Sequence, residues 1–215
     1  MNISINLLES DSEIRRAILQ QIREVMQGAI RKSLPAITDQ VKNSVREALR
    51  REPEYNSLVS GKLKAEFGMP SSADVDIVVN ALVETINVQN NPLKITNLGI
   101  SGGITITMMK SDDLDGVINI ASAYVSDYNR GYSLPWLEWL LLRSNQTIVK
   151  NYEVKMGNNL YSRSGMALMV KSNRNWRVPP EYAGSQSNNW TTRAVSTTED
   201  EITKIIRTNI EASIP

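Results

Sequence analysis

The chain has 215 residues, of which 41% are apolar and 22% are charged, and 24 Lys and Arg stand against 23 Asp and Glu. This balance is typical of a globular chain, and the formal net charge of +1 excludes a basic field over the whole molecule that would attract nucleic acid. Cys and His are both absent, which excludes disulfides, thiolate nucleophiles, Ser-His-Asp triads and metal sites built on either residue.

A short strand and a very long helix are predicted at the start of the chain. Residues 3–8 alternate between apolar and polar side chains, and Ser10 with Glu13 forms the pattern of a capping box. Apolar residues then recur every three or four positions over residues 14–48, which predicts a rod of roughly 60 Å. Pro35 predicts a kink or break. Two arrangements stay open. In one, a portion of the apolar face of this helix contacts another subunit or another protein; in the other, the helix folds back on itself at Pro35.

Shorter helices and a group of strands are predicted to follow. The pattern indicates helices over residues 57–69 and 73–88 and then changes to a period of two. The predicted strands are 94–98, 104–108, 117–125, 148–156 and 166–170. Gly102-Gly103 and residues 112–116 are interpreted as turns, whereas residues 134–142 fit a helix or a strand.

The C-terminal part combines an irregular segment with a final helix. Residues 173–192 are interpreted as an ordered loop, Thr198 with Glu201 as a second capping box, and the isoleucines from Ile202 to Ile214 as the apolar face of a terminal helix. The element order predicts an α+β fold, in which a long N-terminal helix and short helices precede a mostly antiparallel sheet covered by helices. We expect an N-terminal part over residues 1–53 and an α+β body over residues 54–215, with one continuous domain as the alternative.

Motifs for chemistry or membrane insertion are weak. The acidic residues 112–116 lack EF-hand spacing, and the glycines at 99, 102 and 103 fit no phosphate-binding loop. No apolar run reaches the ~20 residues of a membrane span, and the first eight residues lack the basic start of a signal peptide. We therefore expect no catalytic, cofactor or metal site, no membrane contact, and synthesis in the cytoplasm.

Charge is distributed unevenly along the chain. Residues 11–51 hold nine basic and five acidic residues (+4), residues 52–127 hold four and ten (−6), and residues 143–177 hold seven and one (+6). The last segment also contains Tyr152 and Tyr161. Basic residues mixed with aromatic rings are typical of a nucleic-acid channel. A solvated strand face, or a surface complementary to the acidic middle of a neighbouring subunit, explains them equally well.

The four tryptophans divide into two pairs. Trp136 and Trp139 lie among leucines and are interpreted as core. Trp176 and Trp190 lie in polar surroundings, where a large ring either pins a loop or anchors a contact. Residues 177–182 include two consecutive prolines and are therefore interpreted as a stiff arm between neighbours or a rigid crossover within one subunit.

Several blocks in the second half carry a family resemblance. They are Trp136-Leu137-Glu138-Trp139, residues 162–169, residues 176–184 and residues 188–194, followed by the amphipathic helix. This arrangement, over roughly residues 130–212, resembles the neck and tail-completion proteins of tailed bacteriophages. Trp190 and Ala194 match an aromatic–x–x–x–Ala step that precedes the terminal helix in that class.

The resemblance implies a structural virion protein without enzymatic activity. It implies a closed homo-oligomeric ring, a hexamer, at the head–tail junction, which joins the connector or head-completion proteins to the tail terminator or tail tube and surrounds the DNA with transient, non-specific contact. The residues expected at the interfaces are Trp176, Arg177, Pro179, Pro180, Tyr182, Trp190, Ile14, Ile18 and Ile22. Arg163, Lys171 and Arg174 are the candidates for facing DNA in the lumen.

Three other functions stay open. The chain fits another tail or baseplate component of the same kind of particle. It also fits a module that binds single-stranded nucleic acid through residues 143–177, or a carboxylate-dependent hydrolase with Mg²⁺ or Ca²⁺. If the chain works in a ring, we expect the isolated protein to be monomeric or heterogeneous and to become ordered on the particle.

Overall fold

The chain has an α+β architecture, as predicted. The computed structural model describes residues 10–108, 110–127, 131–158, 160–185 and 187–215. The predicted strand over residues 3–8 lies outside them. The helices are α1 (Asp11–Arg51), α2 (Pro53–Ser60), α3 (Lys62–Phe67), α4 (Ala73–Glu84), α5 (Ser111–Ile118), α6 (Trp136–Leu141), α7 (Trp190–Ser196) and α8 (Glu199–Glu211). The strands are β1 (Asn87–Thr96), β2 (Gly99–Thr107), β3 (Val125–Asp127), β4 (Tyr132–Leu134), β5 (Tyr152–Met156) and β6 (Ala167–Lys171).

The long first helix begins where the capping box predicts. The backbone N–H of Ser10 donates to Glu13 Oε2 at 2.7 Å, and the N–H of Glu13 lies 3.4 Å from Ser10 Oγ. Helix α1 continues through Pro35 to Arg51, so the predicted break and the helical hairpin are both wrong. Pro35 and Arg31 are exposed, and water can therefore bind the Arg31 carbonyl that Pro35 leaves without its usual donor.

The strands pair antiparallel, as predicted, but they do not form one sheet. Within the described residues, β1 pairs with β2, β3 with β4 and β5 with β6, each as a separate two-stranded sheet. The predicted strand over residues 117–125 is wrong, because α5 and a 3₁₀ turn at Ala121–Ala123 occupy most of it. The turn predicted at residues 112–116 is wrong for the same reason, since these residues belong to α5.

The first hairpin corrects another predicted turn. Gly102 and Gly103 lie inside β2, and the chain reverses instead at residues 97–98. Gly102 has a φ of +130°, and a Cβ there would come within 2.7 Å of the Pro92 carbonyl oxygen. The glycine is therefore needed for close approach of the two strands, where the register shifts between Asn91 and Lys94.

The chain forms two compact units. The first comprises residues up to Val41 with Asn87–Thr107 and Thr203–Pro215, and the second comprises Lys42–Ile86 with Met108–Ile202. The predicted division into residues 1–53 and 54–215 stays a prediction. In the first unit, the side-chain amide of Gln27 holds the β1–β2 hairpin: Leu93 N donates to Gln27 Oε1 at 2.7 Å, and Gln27 Nε2 donates to Asn90 Oδ1 at 3.1 Å.

The second unit has a core of aromatic and leucine side chains. Its fully buried members include Trp136, Trp190, Phe67, Leu58, Leu63, Leu82, Leu137, Leu140 and Leu141. The indole N–H of Trp190 donates to the Leu49 carbonyl at 2.9 Å, and that of Trp136 donates to the Ser122 carbonyl at 2.9 Å. These rings are therefore buried without leaving a donor unpaired.

Helix α7 begins inside the segment predicted to be a loop. Asn189 caps it, because its side-chain oxygen accepts from the N–H groups of Thr191 and Thr192 at 3.0 and 3.1 Å. Thr192 Oγ1 accepts from the N–H of Asn189 at 2.8 Å, which completes a capping box. At the second predicted box, the Thr198 hydroxyl donates to the Val195 carbonyl.

The cap at Asn189 gives a stability prediction. Because Asn189 is buried and satisfies two N–H groups, Asn189→Ala should lower the free energy of unfolding by about 1–2 kcal/mol. Urea denaturation followed by circular dichroism measures this, with Ser187→Ala at a nearby exposed site as the control. An Asn189→Ala protein as stable as the control would contradict the role of the cap.

Candidate interaction surfaces

A row of isoleucines on α1 is exposed in the first unit. Ile14, Ile18 and Ile22 follow one another at intervals of four residues, and we call them the isoleucine ridge. Ile14 is half-buried, whereas Ile18 and Ile22 are 54% and 45% exposed. Farther along the same helix, Ile37 and Val41 are fully buried. The three predicted contact residues on α1 therefore lie in one line, and two of them are open to solvent.

The two loop tryptophans belong to the core of the second unit. Trp176 is 6% exposed and Trp190 is 1% exposed. Trp176 packs edge-on against Phe67 with ring centroids 6.0 Å apart, and its indole N–H donates to Glu66 Oε2 at 2.9 Å. Of the two alternatives left open by the sequence, the buried one describes both rings, because Trp176 holds a loop in place, Trp190 holds the start of α7, and neither is presented outward as an anchor.

The proline arm divides between core and surface. Pro179 is buried, Tyr182 is half-buried, and Arg177 and Pro180 are exposed. Beside them, Glu181 pairs with Lys62 at 2.6 Å, and this ion pair lowers the pKa of Glu181 and raises that of Lys62. The arm therefore crosses the second unit and is fastened to α3, and Arg177 and Pro180 are its members available to a neighbour.

A cleft of about 820 Å³ opens in the second unit. Its walls come from α3, from β4 and α6, and from the β5–β6 hairpin with the residues beside it. The lining includes Phe67, Trp139, Trp176, Val154 and Met169, and we call it the aromatic cleft. A concave surface that combines aromatic and aliphatic side chains with a few polar groups is the usual form of a binding site.

Two charged side chains reach the aromatic cleft. One is Glu66, whose side chain is 10% exposed and whose Oε1 lies 3.9 Å from Lys62 Nζ. Burial raises the pKa of Glu66, and this effect exceeds the lowering by the hydrogen bond from Trp176 and by the charge of Lys62. Arg163 reaches the cleft beside Gly68, which ends α3 in the left-handed conformation at φ +67°. A Cβ on Gly68 would lie 3.0 Å from the guanidinium, so the glycine makes room for Arg163.

The other two lumen candidates lie on or beside the β5–β6 hairpin. Lys171 pairs across the strands with Tyr152, and both are exposed. Arg174 is exposed and lies 3.7 Å from Glu153, which also approaches Lys155 at 3.8 Å. Exposed ion pairs at these distances are weak, so the side chains are free to reorient toward an anionic partner.

A buried ion cluster joins α2 to α7 in the second unit. Glu54 is fully buried and pairs with Arg193, which also approaches Glu52 at 3.6 Å. Burial raises the pKa of Glu54, although the nearby guanidinium of Arg193 lowers it. The Glu54 carboxylate is buried whereas Arg193 is partly exposed, so the pair links α2 to α7 at the edge of the core. The sequence pattern gave no indication of it.

The described part of the chain shows no cluster of three or more acidic side chains that could bind a metal ion. None of its helices has both the length and the apolar character needed to cross a bilayer. Comparison of the chain with protein-family models, with curated proteins and with solved structures found no match.

Glu66 gives a pH-dependent prediction. A carboxyl whose pKa is raised on folding favours the folded state below its ordinary pKa, and this contribution is lost as the pH rises through the raised value. Glu66→Gln keeps an acceptor for Trp176 and removes the charge. It should therefore gain stability relative to the wild type between pH 4 and pH 7, as measured by urea denaturation at both pH values.

A second variant separates the charge from the hydrogen bond. Glu66→Leu leaves the buried indole N–H of Trp176 unpaired and should lose about 1–3 kcal/mol relative to Glu66→Gln at both pH values. Equal stability of the Gln and Leu variants, or a difference between Gln and wild type that does not change with pH, would contradict this account of Glu66.

Proposed function

We propose that the protein is a structural virion protein of a tailed bacteriophage at the head–tail junction. In this proposal, copies of the chain form a ring that joins the connector to the tail and surrounds the path of the DNA. The ring is made in the host cytoplasm and contacts the head-completion proteins on one side and the tail terminator or tail tube on the other.

The isoleucine ridge is the observation that carries the proposal. Ile18 and Ile22 are about half exposed on one line of α1, at a free-energy cost that burial against another protein would remove. Exposed apolar residues that stand singly need no explanation, whereas a larger contiguous apolar patch marks an interaction site, and in this proposal the isoleucine ridge is part of such a patch. A protein that works by assembly requires such a surface and requires no catalytic centre.

Charge and sequence give further support. The basic stretch at residues 11–51 and the acidic stretch at residues 52–127 suit neighbours that meet through unlike surfaces, and complementary charge favours the correct pairing. The blocks at residues 162–169, 176–184 and 188–194 resemble neck proteins. Trp190 and Ala194 of the matching step are both buried in α7, where they contribute to packing.

Substitution of the isoleucine ridge tests the proposal in the particle. Ile18→Glu places a charge on the ridge and should remove the protein from purified virions and lower the yield of joined heads and tails. Ile77→Glu is the matched control, because Ile77 is 50% exposed on α4, outside the ridge, and should be incorporated normally. Quantitative mass spectrometry of purified particles measures incorporation.

The position in the particle decides between the neck and other sites. Cryo-electron microscopy should place the chain between connector and tail tube. Density for the chain only in the distal tail or baseplate would support the alternative of another tail component. Absence of the chain from purified virions would overturn the proposal altogether.

A nucleic-acid module is the second candidate, and the cross-strand pair of Tyr152 and Lys171 favours it. An exposed ring beside an exposed ammonium is the arrangement on which single-stranded bases stack. For the ring protein, we expect no measurable affinity for single-stranded DNA at moderate salt. Tight binding that falls steeply with salt and is weakened by Lys171→Ala, in a fluorescence anisotropy titration, would favour the second candidate instead.

A further inference from the structure

We infer that the isoleucine ridge of one copy binds in the aromatic cleft of a second copy. The inference deepens the proposed function, on which it rests, because it names the two surfaces through which the ring would assemble. The ridge belongs to the first unit and the cleft to the second, and each is open to solvent in the described chain.

The spacing of the isoleucine ridge favours a groove over a helical zipper. The residues of the ridge are each four positions apart in the sequence, the spacing that forms an i±4 ridge on a helix surface: Ile14, Ile18 and Ile22. A coiled coil alternates steps of three and four, and it needs several heptads of that pattern. The exposed row spans only about 12 Å, so it is suited to a concave receptor rather than to a second copy of itself.

The aromatic cleft has the size and lining that such a ridge requires. Its volume of about 820 Å³ is in the range that accommodates several apolar side chains. Its lining combines the buried rings of Phe67 and Trp176 with Trp139, Val154 and Met169, and Met169 is partly exposed. Val154 and Met169 are opposed across β5 and β6. A helix that lays an apolar row into such a groove is a common mode of recognition.

Charge at the two surfaces is compatible with the same pairing. Arg15 and Arg16 are exposed beside the isoleucine ridge, and the aromatic cleft holds one carboxylate, Glu66, and one guanidinium, Arg163. Glu66 Oε1 is 3.9 Å from Lys62 Nζ, a distance beyond a hydrogen bond. In the inferred contact, the apolar row fills the cleft and one arginine of the incoming helix reaches Glu66.

Symmetry explains why this contact would build a ring. A contact between two different patches of the same chain leaves one ridge and one cleft free at the ends of every complex. Such heterologous contacts add copies until the rotation closes, whereas ridge-to-ridge contact would stop at a two-fold dimer. The proposed neck ring needs the first kind of contact.

Cross-linking between engineered cysteines tests the inference directly, because the natural chain has no cysteine. Two preparations are mixed and treated with a short bismaleimide. One carries Ile18→Cys, and the other carries Met169→Cys and a tag. We expect a mixed dimer at a yield about tenfold above that of Leu98→Cys mixed with Met169→Cys at protein concentrations near 100 µM. Leu98 is 97% exposed on the β1–β2 turn and reports random collision.

Two outcomes would overturn the inference. One is a mixed dimer no more abundant than the Leu98 control. The other is Ile18→Cys that cross-links to itself as efficiently as to Met169→Cys, which would indicate ridge-to-ridge pairing. The second outcome leaves self-assembly and the proposed function in place, whereas absence from virions overturns the proposed function whatever the cross-links show.

A complementation experiment adds an independent readout. Ile18→Glu lacks the ridge and keeps the cleft, and Val154→Glu lacks the cleft and keeps the ridge. By light scattering, each variant alone should be monomeric, and an equimolar mixture should form a dimer that does not grow. Dimers or larger species of Val154→Glu alone, at the concentration at which the equimolar mixture is dimeric, would overturn the inference, and so would a mixture that stays monomeric while the circular dichroism and melting temperature of both variants match the wild type.

Discussion

The hydrogen bond from Trp190 Nε1 to the Leu49 carbonyl is the contact on which much of the second unit depends. Leu49 lies in the last turn of α1, where carbonyl groups have no partner within the helix. The indole satisfies one of them while its ring fills the core. The Asn189 cap fixes the start of α7 directly before Trp190, and Arg193, one turn later, reaches the buried Glu54. The Asn189 cap, the Trp190 ring and the Arg193–Glu54 ion pair therefore follow one another along the chain, and together they attach α7 to the end of α1 and to α2.

The sequence predicted the elements with strong local signals. The capping box at Ser10 and the apolar period of three to four located α1, and the isoleucines located α8, because helix signals arise from neighbours along the chain. Residues 112–116 were mistaken for a turn because acidic residues favour turns and also the first turn of a helix, where Asp112 and Asp113 lie. Gly102 and Gly103 resembled a turn, although close strand approach requires the first of them.

The tertiary features had no local signal. The aromatic cleft combines residues from α3, from β4 and α6, and from the β5–β6 hairpin, which are far apart in sequence. Trp176 and Trp190 lie among polar residues, a context that left both a buried ring and an exposed contact open. Their indole N–H groups donate to a carboxylate and a carbonyl, so both rings are buried at little cost in lost hydrogen bonds. Polar sequence context therefore does not decide the burial of a side chain that carries its own donor.

Helix α1 shows how one apolar pattern can serve two purposes. The same spacing produces the fully buried Ile37, Val45 and Leu49 and the exposed Ile18 and Ile22, so periodicity identifies an apolar face without revealing what covers it. An uncovered apolar row is an aggregation hazard. Arg15 and Arg16 lie beside it, and a non-specific partner would have to remove water from both side chains, which raises the free energy of such a complex. A partner with a carboxylate beside an apolar groove avoids that cost, and this requirement favours a specific assembly contact over simple hydrophobic adhesion.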